Sequence, residues 1–303
     1  MKNVIPNLFI IGAPKSGTTS LYQYLSSHPN IFMCTPKEPH YFADDLNGFS
    51  FTNTFDKYHD LFNGRKENHK VVGEASAWYL YSEKALENIY NYNKEAKIIV
   101  MLRNPISLFQ SLHQHFVYNG FEDKKDLREA WSCQKNRLTG KNIPKYCPDP
   151  KLLQYKNILK LGHQVEKLYS IFPKRQIKFI LFDDFIKDTI NIYKSTLSFL
   201  DLEYDDKIYF PTTNQSKESR HKNLNHYFLN PPKYVKKIWG SSKKIYGNRI
   251  INFANKIILL NSKKKKVNEN ISVDFLLEIK EHLSSDINKL SRIIDRDLNL
   301  WLK

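Results

Sequence analysis

The sequence predicts an α/β fold in which helices cover both faces of a central parallel sheet. Three continuous apolar runs, at residues 8–11, 97–102 and 177–182, are typical of strands buried on both faces. Patterns of helical spacing separate these runs, so strands and helices alternate along the chain. The first run passes through a glycine-containing loop, residues 12–20, directly into a helical pattern.

The remaining elements follow from similar patterns. Val71 and Val72 predict a fourth, shorter strand. Pro105 suits the first turn of a helix that begins just after the run at 97–102. An amphipathic pattern predicts a C-terminal helix at about 272–301 that packs on the core. The other helices are predicted at about 83–91, 105–118, 152–172 and 185–200.

Composition excludes disorder over the whole chain. The chain has 303 residues, of which 41% are hydrophobic and 26% are charged, so it can bury a sizeable core. The formal net charge is +16, and residues 230–268 alone carry eleven Lys or Arg. We expect a single domain over residues 1–303, with a basic helical insertion at about 228–268.

The cysteines and the N-terminus point to a soluble, cytoplasmic chain. Cys34, Cys133 and Cys147 are odd in number and lack CxxC spacing, so they predict neither a disulfide framework nor a zinc site. The apolar run near the N-terminus is far shorter than a signal sequence or a membrane span.

The loop after the first strand has the glycine spacing of a phosphate-binding loop. Gly12 and Gly17 are placed so that backbone N–H groups and the start of the next helix can hold an anion. An NTPase loop has lysine directly after the second glycine, but here that place is Thr18 and the lysine is Lys15. A kinase-like enzyme that uses ATP and Mg²⁺ is therefore the less favoured alternative.

A second anion site is predicted at the end of the strand at 97–102. Arg103 offers a planar fork for phosphate, and Ser111 adds a hydroxyl two turns into the next helix. In the alternative interpretation Arg103 pairs with a carboxylate and Ser111 fills a helix face.

Residues 14–19, with the sequence PKSGTT, resemble the loop of the sulfotransferases that use 3′-phosphoadenosine 5′-phosphosulfate (PAPS). The similarity is to the heparan-sulfate-type branch and its bacterial relatives, and it runs from about residue 6 to residue 302. It implies a P-loop-like three-layer fold with a central parallel sheet flanked by helices. The cofactor-binding residues that it implies are Pro14, Lys15, Ser16, Gly17, Thr18, Thr19, Ser20, Arg103, Ser111, Arg220 and Lys222.

The same resemblance implies the catalytic residues. Residues 37–42, KEPHYF, are similar to the segment that carries the catalytic Glu in the heparan-type enzymes, which makes Glu38 the general base and His40 its neighbour. Lys15 would neutralise the bridging oxygen as the S–O bond breaks, and no metal is required.

Other features of this segment carry further expectations. Tyr41 and Phe42 are expected to form an apolar wall that partly desolvates the Glu38 carboxylate.

His113 and His115 are rival bases on the helix after Arg103, although helix histidines are more often structural.

Residues 73–79, GEASAWY, resemble the family segment that lines the acceptor cleft, with Ala77 in place of the usual proline. This resemblance implies Glu74, Ser76 and Tyr79 as acceptor contacts. Lys37 is a weaker candidate for contact with the cofactor or the acceptor.

Together these features predict a sulfotransferase that moves a sulfuryl group from PAPS to a hydroxyl or amine, with a saccharide or glycan as the expected acceptor. A small-metabolite acceptor, the kinase-like enzyme and a non-catalytic polyanion-binding protein are the alternatives. Residues 230–266 are candidates for contact with an anionic polymer or a membrane surface. Nucleic acid is not needed to explain the basic loops, and the sequence leaves N- versus O-sulfation and the oligomeric state open.

Overall fold

The computed structural model describes residues 5–48, 52–211, 217–219, 262–264 and 271–303. The chain forms two compact units. The first contains Met1–Phe109, Gln154–Asn214 and Ser272–Lys303, and the second contains Gln110–Leu153 and Gln215–Ile271. The expectation of one catalytic domain over the whole chain stays a prediction.

The first unit is built on a five-stranded parallel sheet, which confirms the predicted fold class. The sheet order is β2-β3-β1-β4-β5. Its strands are β1 (Leu8–Gly12), β2 (Ile31–Met33), β3 (Val71–Ala75), β4 (Lys97–Leu102) and β5 (Ile177–Leu181). The sequence analysis did not predict β2, which has only three residues.

The strands are mostly apolar because helices and loops cover both faces of the sheet. Leu8 and Ile10 of β1 pack in a cluster that includes Leu21 and Leu25 of the following helix. Phe9 points to the other face, where its ring meets that of Phe42 edge to face with centroids 5.8 Å apart. All five residues of β1 are buried, as expected for a central parallel strand.

The helices follow the predicted alternation, with two predicted long helices each divided in two. Within the described residues, the helices in chain order are α1 (Thr18–Ser26), α2 (Phe55–Asp60), α3 (Ala85–Tyr92), α4 (Pro105–Asn119), α5 (Leu127–Ser132), α6 (Gln134–Leu138), α7 (Tyr155–Ile158), α8 (Leu161–Ile171), α9 (Phe182–Lys187), α10 (Thr189–Phe199) and α11 (Val273–Ile293). The predictions at 152–172 and 185–200 were therefore wrong about continuity.

Side-chain caps account for these interruptions. Asp188 caps α10, since its carboxylate accepts from Asn191 N at 3.2 Å. The start of α8 is capped from α11, where Asp286 accepts from Gly162 N at 2.7 Å and from His163 N at 2.9 Å. Both caps satisfy backbone donors that the first turn of a helix leaves without partners.

The C-terminal helix forms as predicted but is shorter. α11 ends at Ile293, and a short 3₁₀ turn, Asn299–Trp301, follows. Its buried face packs on α8 and consists of Phe275, Ile279, Leu283, Ile287 and Leu290. Within the described residues, no helix has the length and apolarity needed to cross a bilayer.

The second unit contains a fully buried ion pair. Arg137 of α6 donates from Nη1 to Glu122 Oε2 at 2.7 Å and from Nη2 to Oε1 at 2.6 Å. Most of the predicted basic insertion at 228–268 lies outside the described residues. Its described part, β7 (Ser262–Lys264), pairs antiparallel with β6 (Lys217–Ser219) and is not helical.

Candidate active site

The candidate residues of the first unit gather at the carboxyl edge of the sheet. All five strands are parallel, so the loops that follow them meet at one edge. The connection after β1 leads toward β2, whereas the connection after β4 leads toward β5, and this reversal places a crevice between β1 and β4. Ala13 N donates to Met101 O at 2.6 Å, which joins the loop after β1 to the end of β4.

The loop between β1 and α1 has the form of an anion cradle. Gly17 lies at φ 90° immediately before α1, and among the described residues no side chain caps this helix start. The first turn also lacks acidic residues. Free N–H groups at a helix start favour an anion, so this loop fits a phosphate or phosphosulfate.

Glycine is required at position 17 for two reasons. A Cβ there would lie 3.0 Å from the Phe182 ring and 3.2 Å from Met101 Cε, and the positive φ disfavours any side chain. Gly140 has a similar φ of 81°, but an added Cβ would meet nothing within 4 Å. Substitution of Gly140 would thus introduce backbone strain alone, whereas substitution of Gly17 would add a steric conflict to that strain.

Gly17→Ala is expected to weaken binding of 3′-phosphoadenosine 5′-phosphate (PAP), the desulfated product of the predicted co-substrate, by about tenfold, or ~1.4 kcal/mol. The added methyl displaces the loop, whereas Gly140→Ala carries only the strain of a left-handed residue, about 1–2 kcal/mol of stability. Calorimetry with PAP on both variants measures the difference. The same Kd in the two variants would contradict the steric argument.

Lys15 and Arg103 lie together beside this loop. Arg103 Nη1 donates to the carbonyl oxygen of Lys15 at 2.9 Å, and the guanidinium lies over the Phe182 ring, 4.6 Å from its centroid. Burial lowers the pKa of Lys15, and the charges of Arg103 and Lys37 lower it further. Three cations therefore lie near one another, an arrangement that an incoming polyanion would stabilise.

Phe182 and Asp183 belong to this site but were missed in the sequence analysis. Phe182 begins α9 directly after β5 and supports both Arg103 and Gly17. Burial lowers the pKa of Arg103, and the nearby carboxylate of Asp183 opposes that effect. The available signal was their place at the end of a predicted parallel strand.

Glu38 lies on the segment after β2, and this segment runs beside the carboxyl end of β3. Glu38 N donates to Ala75 O at 2.9 Å, and Glu38 Oε2 accepts from Ala77 N at 2.8 Å. Lys37 pairs with Oε1, and His40 Nε2 lies 3.2 Å from Oε2. With its side chain 32% exposed, Glu38 is a fixed carboxylate that is still open to a substrate.

His40 is neutral at physiological pH. Its side chain is buried, and burial lowers its pKa to about 4 although the Glu38 carboxylate raises it. The neutral ring can donate Nε2–H to the Glu38 carboxylate. Because the ring is buried, it cannot touch a substrate, so His40 acts by positioning Glu38.

The three predicted catalytic residues share an unusual backbone conformation. Lys15, Glu38 and His40 have φ of 61°, 65° and 51°. Among the described residues, the other non-glycine residues with positive φ are Asn142, Asp201, Asp206 and Asp295. Asn, Asp and His tolerate this region best, so Lys15 and Glu38 are the unusual residues here. Such strain persists only where the surroundings enforce it, and it clusters at functional sites.

One expectation about residues 37–42 was wrong. Tyr41 and Phe42 do not form a wall on the Glu38 carboxylate, which is bounded by the polar partners given above. Instead the Tyr41 ring stacks on Tyr58 at 4.4 Å, and Phe42 packs among aromatic rings. These residues are close to Glu38 in sequence, but in the fold Phe42 is buried in the core, and Tyr41 is partly exposed with its ring against the buried Tyr58.

The predicted acceptor contacts Glu74, Ser76 and Tyr79 are also corrected. All three side chains are fully buried, so they cannot touch an acceptor directly. Tyr58, Ser76 and Tyr79 all donate their hydroxyl protons to the Glu74 carboxylate. Lys37, the other weak candidate, is 14% exposed and paired with Glu38.

The remaining predicted residues have varied positions. Pro14 and Ser16 are buried within the loop, and Thr18 is buried at the start of α1, where Thr19 and Ser20 are partly exposed. Ser111 and His113 are buried on α4, and His113 Nε2 lies 2.9 Å from Lys124 O, which favours a structural role over that of a base. His115 is exposed and bonds Asn119. Arg220 and Lys222 lie outside the described residues.

Comparison with known proteins finds relatives among the sulfotransferases. The membrane-associated sulfotransferase kil1 of Dictyostelium discoideum is 36% identical over 113 residues, which are 37% of this chain and 22% of that protein. The bifunctional heparan sulfate N-deacetylase/N-sulfotransferase 1 of Caenorhabditis briggsae is 26% identical over 205 residues, or 66% of this chain and 23% of that protein. The chain thus spans less than a quarter of either relative.

The fold has a counterpart among solved structures. A sulfotransferase from Alicyclobacillus acidocaldarius superposes with a TM-score of 0.70 and 24% identity, covering 99% of this chain and all of that one. The family model of the sulfotransferase domain matches residues 6–245. Because this match covers well over half of the sequence, the chain belongs to the sulfotransferase domain family.

Proposed function

We propose that the chain transfers a sulfuryl group from PAPS to a hydroxyl or amine acceptor, with Glu38 as general base. One observation carries the proposal: Arg103 and Lys37 both lie close enough to Lys15 to lower its pKa, and Lys37 pairs with Glu38. Lys15 itself precedes a helix start that no side chain caps among the described residues. This combination offers an anion site and a proton acceptor at one place.

The proposed chemistry is an in-line displacement at sulfur. The acceptor oxygen or nitrogen forms a bond to sulfur and gives its proton to Glu38, while the bond between sulfur and the bridging oxygen of the 5′-phosphate breaks. Lys15 stabilises the charge that develops on this leaving oxygen, and N–H groups at the start of α1 hold the phosphate. The scheme uses charges of the chain alone and needs no metal.

Carbohydrate is the proposed acceptor class. Similarity to a heparan sulfate N-sulfotransferase supports this choice, and the curated matches also include carbohydrate sulfotransferase 15 of mouse, 28% identical over 37% of this chain and 27% of that protein. Acceptor screening with saccharides that present either a hydroxyl or an amine distinguishes O- from N-transfer.

Calorimetric titration with PAP and with ADP, in low and moderate salt, tests the nucleotide part of the proposal. We expect PAP to bind without metal and more tightly than ADP, because Arg103 would contact the 3′-phosphate. Arg103→Ala should weaken PAP binding by about tenfold to a hundredfold, since bonds to charged groups are worth roughly 1.5–3 kcal/mol.

Arg175→Ala is the matched control. Arg175 is exposed just before β5, at the opposite edge of the sheet, so its removal changes the net charge equally without touching the crevice. Equal affinities in the two variants would remove the Arg103 assignment. Tighter binding of ADP with Mg²⁺ would favour a kinase, and polyanion binding without nucleotide binding would favour the non-catalytic alternative.

A further inference from the structure

We propose that the buried carboxylate of Glu74 is a positioning residue that holds the segment carrying Glu38 and His40 in its active conformation. The inference rests on the proposed function, because it assigns Glu74 a role in the same reaction. Glu74 lies on β3, is fully buried and does not reach the crevice. Its effect must therefore pass through the groups that it bonds.

Three hydroxyl groups converge on the Glu74 carboxylate. Tyr58 Oη donates to Oε1 at 2.8 Å, and Ser76 Oγ donates to Oε2 at 2.9 Å. Tyr79 Oη lies 3.1 Å from Oε1 and 3.3 Å from Oε2. A buried carboxylate needs such donors, since an unpaired one would be strongly destabilising.

Two of these hydroxyls also bond the backbone of the catalytic segment, residues 37–42, which carries Glu38 and His40. Ser76 Oγ accepts from His40 N at 3.1 Å, and Tyr79 Oη accepts from Phe42 N at 3.3 Å. Each hydroxyl has a single proton, which it donates in a hydrogen bond to the carboxylate. Its oxygen lone pairs therefore remain to accept from the backbone N–H groups. The ionised carboxylate thus sets the direction of the whole network.

This network restrains the strained part of the segment. His40 and Glu38 both have positive φ, a conformation that surrounding contacts must enforce. His40 is held through its N–H by Ser76, and the next residue, Ala77, donates its own N–H to Glu38 Oε2. Residues 76 and 77 therefore connect the buried carboxylate to both catalytic-segment residues.

The charge of Glu74 is sensitive to pH near neutrality. Burial raises its pKa to about 7, and the hydrogen bonds from its three hydroxyl partners oppose that effect. The titratable groups that face it are Tyr58, Tyr79, Tyr92, Cys34 and Glu38. A protonated Glu74 would donate a hydrogen bond to one of these hydroxyls instead of accepting one from it. The hydrogen bonds that hold residues 38–42 would then be disturbed, so kcat should fall as the pH falls through about 7.

The test is Glu74→Gln, which keeps the shape and removes the charge. We expect kcat to fall about 100-fold, the loss typical of misplaced catalytic groups, while the Kd for PAP is unchanged. The kcat of the variant should not fall further as the pH is lowered through 7, because the group that titrates there has been removed. The Glu38→Gln/Glu74→Gln double variant should be no slower than Glu38→Gln alone, because Glu74 acts through Glu38.

Asp286→Asn is the matched control, since Asp286 is a carboxylate on α11 that caps α8 through two N–H groups. It should lower the unfolding midpoint and leave kcat unchanged. Wild-type kcat in Glu74→Gln, or a full further loss in the double variant, would overturn the inference. If Glu74→Gln does not fold, Ser76→Ala decides: it should lower kcat without weakening PAP binding, and an unchanged kcat overturns the inference. A wild-type chain that binds no PAP and transfers no sulfuryl group refutes the proposed function instead.

Discussion

Glu38→Gln is expected to lower kcat for sulfuryl transfer by about 10²–10⁴-fold, the usual contribution of a positioned base. The amide keeps the size of the side chain but cannot accept the acceptor's proton. Affinity for PAP should be unchanged or tighter, because the variant removes the anion that pairs with Lys37, a cation close enough to Lys15 to lower its pKa. Steady-state kinetics with a saccharide acceptor, together with PAP titration, measures both quantities.

His40 cannot take over the role of Glu38, because it is buried and its Nε2 faces the Glu38 carboxylate. Asp44→Asn is the matched control, since Asp44 lies six residues further along and its side chain is 60% exposed. It should leave kcat unchanged. Wild-type kcat in Glu38→Gln, or the same loss in Asp44→Asn, would remove Glu38 as the base.

The sheet could be predicted because its physical cause is visible in short stretches of sequence. A parallel strand that is covered on both faces is apolar at nearly every position, and residues 98–102 show that directly. β2 escaped the same reasoning because the three residues Ile31–Met33 are too few to display a pattern. The strand exists because β3 lies beside it, which is a tertiary cause.

Helix ends were less predictable because their caps come from distant parts of the chain. Asp286, which caps α8, lies 124 positions after Gly162. A residue at that separation leaves no local signal, so apolar spacing alone predicted one long helix at 152–172. The break at Asp188 has a local cause, since Asp188 bonds the N–H of Asn191 three residues later.

The site shows the same division between local and distant causes. Motif resemblance predicts Lys15, Glu38 and His40 as catalytic residues, and this assignment stays a prediction. All three have positive φ, a backbone conformation that clusters at functional sites. Glu74 was assigned to the acceptor because a motif does not state which side chains face the interior. Its position within the apolar strand at 71–75 was the sequence signal for burial, since an acid there must find buried partners.

Lys15→Met is expected to lower kcat by about 10²–10³-fold, the loss typical when one group that stabilises developing charge is removed. Burial and the neighbouring cations lower the pKa of Lys15, so the cation is held in a partly desolvated place where its field on a leaving oxygen is little screened. This separates it from Arg103, whose removal should act mainly on PAP affinity. Kinetics and PAP titration on both variants give the comparison.

Lys57→Met is the matched control, because Lys57 is exposed on α2 and its loss changes the net charge by the same amount. Unequal effects of Lys15→Met on kcat and on PAP affinity are the essential result. If Lys15→Met weakened PAP binding as much as it lowered kcat/KM, Lys15 would stabilise the bound ground state and the transition state equally. Its position beside Arg103 would then reflect phosphate binding alone, and Glu38 would be left as the residue that acts in the chemical step.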